Sequence, residues 1–148
     1  WHDRRGENLL DGGAPFYNVY QTKDGHYVAV GALEPQFHAI LCERLGLSEE
    51  ALFADQNNPA LWPEQKARIA AIIAGYPRAD LLALFEGQDA CVTPVLSLEE
   101  APEHPHNVAR EGYVALDDVV QPAPAPRYSR TPCNTPQASK WIQAQGGD

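Results

Sequence analysis

The chain has 148 residues and no methionine, so it does not open at an ordinary translation start and reads as a truncated or processed piece of a longer protein. It is also short of positive charge. Eleven Lys and Arg stand against 20 Asp and Glu, a formal charge of −9, which argues against a surface built for nucleic acid or an anionic membrane. No apolar run reaches the roughly 18 residues that a membrane helix needs, and no signal peptide opens the chain. Cys42, Cys91 and Cys133 are an odd number at no metal-ligand spacing, which fits reduced thiols in a cytoplasm better than a disulfide framework. Cys42 and Cys91 fall in apolar patterns and are expected in the core. There is no Gly-rich phosphate loop, paired metal-ligand motif, internal repeat or recognisable Ser or Cys nucleophile motif. His104 and His106 lack the i, i+4 spacing of a helical metal pair and are expected in a solvated loop, while His26 and His38 find no partner in sequence.

What is present is enough for one modest core, with 44% of residues hydrophobic. Phe16 to Thr22 and His26 to Ala32 read as two short strands joined by Lys23-Asp24-Gly25, whose Asp-Gly favours a tight hairpin. Helical spacing follows from Pro35 to Leu45 with Gly46 as the stop, from Ser48 to about Phe53, from Pro63 to Ala74, and from Ala79 to Phe85. Cys91 to Leu96 is a further strand, and Pro94 assigns it to an edge or a strand end. Ser97 to Arg110 predicts one or two helical turns, and Gly112 to Leu116 a last strand. Beyond Val120 the composition shifts to QPAPAPRYSRTPCNTPQ, an extended polyproline-like segment. Lys140 to Gln145 could add a helical turn. The expected fold is α+β: a small, mostly antiparallel sheet with packed helices over 1–120, then an extended Pro-rich arm over 121–148.

Within this frame Glu34 stands out, because it is a lone carboxylate at the end of the apolar strand YVAVGAL and just before Pro35 at a helix start. At such a junction a side chain leaves the top of a sheet where helix amides favour its charged form, so it suits site chemistry. Capping of the helix on the solvent side is the other reading. Asp11 belongs to Asp-Gly-Gly, which is first of all a turn sequence rather than a base.

The blocks LLDGGAPFY, KDGHYVAVGALEPQF, FEGQDACVTPVLSLEEA and QPAPAPRYSRTP, taken in that order, resemble the C-terminal part of the alpha-methylacyl-CoA racemases of the family III CoA-transferase superfamily. The resemblance runs from about Asn8 to Pro132. The transferase branch usually carries an asparagine-and-tryptophan version of the segment after the second strand, so GALEPQF favours the racemase branch. Such enzymes remove the alpha proton of a 2-methylacyl-CoA thioester and return one to the opposite face, with the thioester supplying enough acidity that no metal or redox cofactor is needed. The resemblance implies that CoA enters only as part of the substrate. It also implies that a large N-terminal domain, without a match here, carries the His and Asp bases and most of the CoA contacts, and that subunits pair as an interlocked homodimer or oligomer.

In that family the glutamate matching Glu34 hydrogen-bonds the catalytic histidine across a subunit boundary, which makes Glu34 the catalytic-site acid of this chain. The family's loop lining the acyl pocket matches LLDGGAPFY and brings in Leu10, Gly12, Gly13 and Tyr17 as substrate contacts, with Leu33 beside Glu34. A plain turn for the glycines, and core packing for Tyr17 and Leu33, remain the alternatives. The resemblance thus implies a portion of an acyl-CoA racemase or epimerase, inactive alone, that meets acyl-CoA only together with the large domain. A free-standing binding or assembly domain, and part of a family III CoA-transferase, are the competing readings.

Overall fold

The computed structural model describes residues 2–116 and 118–133. The chain divides into two compact units, Trp1–Val95 and Leu96–Asp148. The first contains β1 (Tyr17–Gln21), β2 (Tyr27–Gly31), α1 (Pro35–Arg44), a 3-10 turn (Ala51–Phe53), α2 (Trp62–Ile73), α3 (Arg78–Ala83) and β3 (Val92–Val95). Its sheet runs β1-β2-β3 with both pairings antiparallel, so the arrangement is α+β as expected.

The β1–β2 hairpin closes through Gly25, whose φ of 80° is open to glycine at no steric cost, while Thr22 and His26 bond across the loop at 2.9 Å. Asp24 anchors the tip. Its carboxylate accepts the Thr22 hydroxyl at 2.6 Å and the Arg78 amide at 3.1 Å, and the Lys23 amide donates to Tyr76 O at 2.9 Å, tying the turn to the start of α3. Pro94 is tolerated because β3 is an edge strand.

One face of the sheet carries Tyr20, Val28 and Val30, and α1 and α2 pack over it with Leu41, Ile69 and Ile73. Phe16 lies at the centre, fully buried and edge-on to His38 at 5.5 Å and to Trp62 at 6.0 Å. Gln65 is buried among these apolar groups and donates its amide to Leu52 O at 2.8 Å. Helix α1 ends where Gly46 adopts a φ of 71° and the Leu47 amide returns to Cys42 O at 2.7 Å, as a glycine-terminated helix does. The segment read as a helix from Ser48 forms only the single 3-10 turn.

The second unit holds α4 (Glu100–Glu103), α5 (Pro105–Ala109), β4 (Tyr113–Leu116) and β5 (Val119–Pro122), with β4 and β5 paired antiparallel. The boundary expected at 120 falls inside β5, since backbone pairing of Val114 with Gln121 and Tyr113 with Pro122 continues past it. Helices α4 and α5 are the helical turns expected within Ser97 to Arg110; His106 lies in α5 and His104 is that helix's N-cap, so these two histidines belong to a helical turn with Pro105 at its head rather than to the expected loop. Lys140 to Gln145, and the arm beyond Cys133, lie outside the described residues. Among the described residues no helix is long and apolar enough to cross a membrane.

Candidate active site

The face of the sheet turned away from α1 and α2 is also apolar, and the strand register arranges it in rows. Tyr17 pairs with Gly31, Val19 with Ala29, and Gln21 with Tyr27; Ala29 and Tyr27 continue to Thr93 and Val95 on β3. The Gly31 amide donates to Cys91 O at 2.8 Å, which completes the first row. Along the central strand this face reads Tyr27, Ala29, Gly31: one large residue followed by two small ones. A pocket of about 450 Å³ occupies the space left above the small pair, lined by Tyr17, Val19, Ala29, Gly31, Cys91 and Thr93, with Leu10 and Gly12 at its mouth.

The loop that brings Leu10 and Gly12 there is built by Asn8 and Asp11. Asp11 accepts the Asn8 backbone amide at 2.8 Å and its side-chain amide at 2.9 Å, and the bond from the Asn8 side chain holds the Asp11 carboxyl below its ordinary value. Asp11 therefore shapes the turn. The Gly12 carbonyl accepts Asn18 Nδ2 at 3.1 Å and also Lys66 Nζ, fixing the rim. Gly13 is placed differently. It is buried, bonds to Asn8 O at 3.1 Å, and leaves no room for a Cβ against the Asn8 backbone, so a close approach within the loop demands glycine there. It does not line the pocket.

Leu33 is partly buried and packs against the core, with its carbonyl accepting Gln56 Nε2 at 2.9 Å, and it is not among the residues that line the pocket. Tyr17 is the reverse case, 40% exposed on the open face. Glu34 is the N-cap residue of α1 with extended backbone, and its carbonyl accepts the Phe37 and His38 amides at 3.0 Å. Its carboxylate makes no capping hydrogen bond and is exposed, so the solvent-side cap is not formed by this side chain. Glu34 does not line the pocket either. It lies three residues past Gly31 on the side of Cys91, whose thiol is pushed above its ordinary value by partial desolvation, with the Asp89 and Glu34 charges adding to it.

The placement of Cys91 corrects the expectation of a core cysteine. It is exposed with a φ of 52°, because the chain turns sharply into β3 at this point and directs the side chain to the open face. Cys42 is buried as expected, its sulfur 3.7 Å from His38 Nε2. Burial pushes the Cys42 thiol up to about 11 and the His38 imidazole down, so both sit neutral in the core near neutral pH. Val19, Ala29, Gly31 and Thr93 line the pocket as well, and the signal for them in sequence is the apolar residues on both faces of YVAVG, which mark a sheet covered on both sides. No group of three or more His, Cys, Asp and Glu able to hold a metal occurs among the described residues.

The geometry offers an apolar trough with the Glu34 carboxylate, unused as a helix cap, beyond its end. It can hold a hydrocarbon chain and set a negative charge beside whatever group is brought to its mouth.

The family model for CoA-transferase family III matches residues 2–142. The chain is 49% identical to mouse alpha-methylacyl-CoA racemase and 45% identical to the human one, in each case over 133 residues, 89% of this chain and 35% of the relative. A CaiB/baiF CoA-transferase family protein of Caenorhabditis elegans is 33% identical over 119 residues, 80% of this chain and 33% of that protein. A crystal structure of Rv3272 from Mycobacterium tuberculosis superposes with a TM-score of 0.63 at 16% identity, covering 77% of this chain and 32% of that one, which speaks to the fold alone. The chain thus spans about a third of the length of the curated relatives it matches. With a family model covering nearly all of its residues, the chain belongs to CoA-transferase family III.

Proposed function

We propose that this chain is the small-domain portion of an acyl-CoA racemase-like enzyme, that the trough on the open sheet face receives the acyl group, and that Glu34 positions the histidine base of the large domain. The observation that carries the proposal is the carboxylate of Glu34 at the head of α1, unused as a helix cap and three residues beyond the pocket floor at Gly31. Identities of 49% and 45% to racemases, against 33% to the transferase-family protein, favour proton transfer over CoA transfer.

On this reading a thioester lies with its carbonyl near Glu34 and its hydrocarbon over Gly31 and Ala29, between Leu10, Tyr17 and Val19. The thioester acidifies the alpha carbon, one base removes its proton, and a second returns one to the opposite face. Glu34 would act through the imidazole, fixing its orientation and raising its basicity, so it is a positioning residue. The reaction calls for no metal or redox cofactor, and CoA enters with the substrate. Acyl-CoA is bound jointly with the large domain, within an interlocked homodimer. The three free thiols suit a reducing, cytoplasmic setting.

The testing experiment follows alpha-deuterium incorporation into 2-methylacyl-CoA in deuterated water by NMR, for the 148-residue chain alone and for the polypeptide that carries the large domain. Exchange by the longer protein and none above a buffer control by the chain alone is the expected outcome. CoA transfer between two acyl donors without alpha exchange would overturn it.

A further inference from the structure

The three rows of the open face are not equivalent. Two of them, Tyr17-Gly31-Cys91 and Val19-Ala29-Thr93, line the pocket, and the pocket stops before the third, Gln21-Tyr27-Val95. The cause lies on the central strand. Gly31 and Ala29 leave the floor low, whereas Tyr27, next on the same face and 44% exposed, is the first large side chain met along β2 and stands outside the pocket lining. Neighbouring rows on one face are about 7 Å apart, roughly the length of a five- or six-carbon run of alkyl chain. Val19 and Thr93 form the side walls and β1 and β3 the outer strands, so a chain that enters beside Glu34 and follows β2 reaches Tyr27 after Gly31 and Ala29.

We infer that Tyr27 and Ala29 set the length of acyl chain the trough accepts, Ala29 as its floor and Tyr27 as its end stop. This inference rests on the proposal that the trough is the acyl pocket. Within two rows each added methylene is removed from water, and affinity rises by about two- to fourfold per carbon; past Tyr27 an added carbon projects into solvent and gains nothing.

The test titrates butyryl-, octanoyl-, decanoyl- and tetradecanoyl-CoA into the polypeptide that carries the large domain and follows the Ala29 methyl and Gly31 amide signals by NMR. Tyr27 is two row spacings beyond Gly31, so wild type is expected to gain affinity up to about ten carbons and then level off. Tyr27→Ala should move the plateau to longer chains, and Ala29→Leu should remove the gain beyond butyryl. The two positions are on the open face, and their substitutions act in opposite directions, so general loss of folding cannot imitate the pattern. The same break point in wild type and Tyr27→Ala would overturn the length assignment while leaving the acyl pocket in place. No response of Ala29 or Gly31 to any of the four thioesters would overturn both.

Discussion

The Gly31 amide donates to the Cys91 carbonyl at 2.8 Å, and this bond joins the end of the central strand to the turn that enters the edge strand beside Glu34. It requires Cys91 to hold a φ of 52°, a left-handed conformation that costs a side-chain-bearing residue roughly 1 kcal/mol. Cys91→Gly is therefore expected to raise stability by about 0.5 to 1 kcal/mol, whereas Cys91→Val should lower it by at least as much. Urea unfolding of the two variants checks this. A loss of stability in the glycine variant would mean that the thiol's contacts outweigh its backbone strain.

Gly13 is buried against the Asn8 backbone within the loop. Because a Cβ would meet the Asn8 backbone, Gly13→Ala should destabilise the chain by about 1 to 3 kcal/mol through displaced loop backbone. Gly12→Ala should cost about 1 kcal/mol, since a φ of 91° disfavours a side chain while the nearest atom to a Cβ there is Asn18 Oδ1 at 3.7 Å. Thermal denaturation of both ranks them, and equal losses would contradict the distinction between a crowded and a merely left-handed glycine.

His38 sits buried and neutral against Phe16 and Cys42, with burial lowering its affinity for protons. The unfolded chain binds a proton at the ordinary imidazole value of 6.5 while the folded one does not, so stability falls as the pH drops below about 6.5. The carboxylates of Asp11, Asp24 and Glu50, whose values are lowered by hydrogen bonds from Asn8, Thr22 and Arg68, lose their contributions only at more acid pH. Melting temperatures at pH 7 and pH 5.5 should differ in wild type and converge in His38→Gln. An unchanged difference in the variant would place the acid sensitivity elsewhere.

The sequence was most legible where local chemistry and tertiary contacts agree. Asp24-Gly25 makes the hairpin, Pro35 and Gly46 bracket α1, and Pro94 marks β3 as an edge. It was less legible where one residue serves two masters. Gly13 looks like a ligand-facing glycine, yet its lack of a side chain is taken up by the Asn8 backbone, a contact that no spacing rule reveals. Cys91 reads as the first residue of an apolar strand, but the turn before β3 reverses its side chain to the open face. Leu33 follows the alternation of β2 and still packs inward, because the chain leaves the strand at Gly31 and its amide bonds back to Gly31 O at 2.8 Å. Strand β5 carries little signal in sequence, since its Val119 and Val120 adjoin the proline-rich composition that starts at Gln121. The open-face pocket needed the register of three strands, and a register is a long-range property.

The central claim is that Glu34 acts on a catalytic histidine rather than on its own helix. Its most direct test compares wild type and Glu34→Gln in the polypeptide carrying the large domain, with turnover of 2-methylacyl-CoA and thermal stability measured on one preparation. Because the carboxylate makes no capping hydrogen bond, stability should change by less than about 1 kcal/mol, the helix-dipole contribution alone. The account expects kcat to fall roughly 10- to 1000-fold, about 1.4 to 4 kcal/mol of barrier, with KM within a few-fold of wild type. Wild-type kcat with a lowered melting temperature would contradict it and leave Glu34 as a residue of the helix terminus.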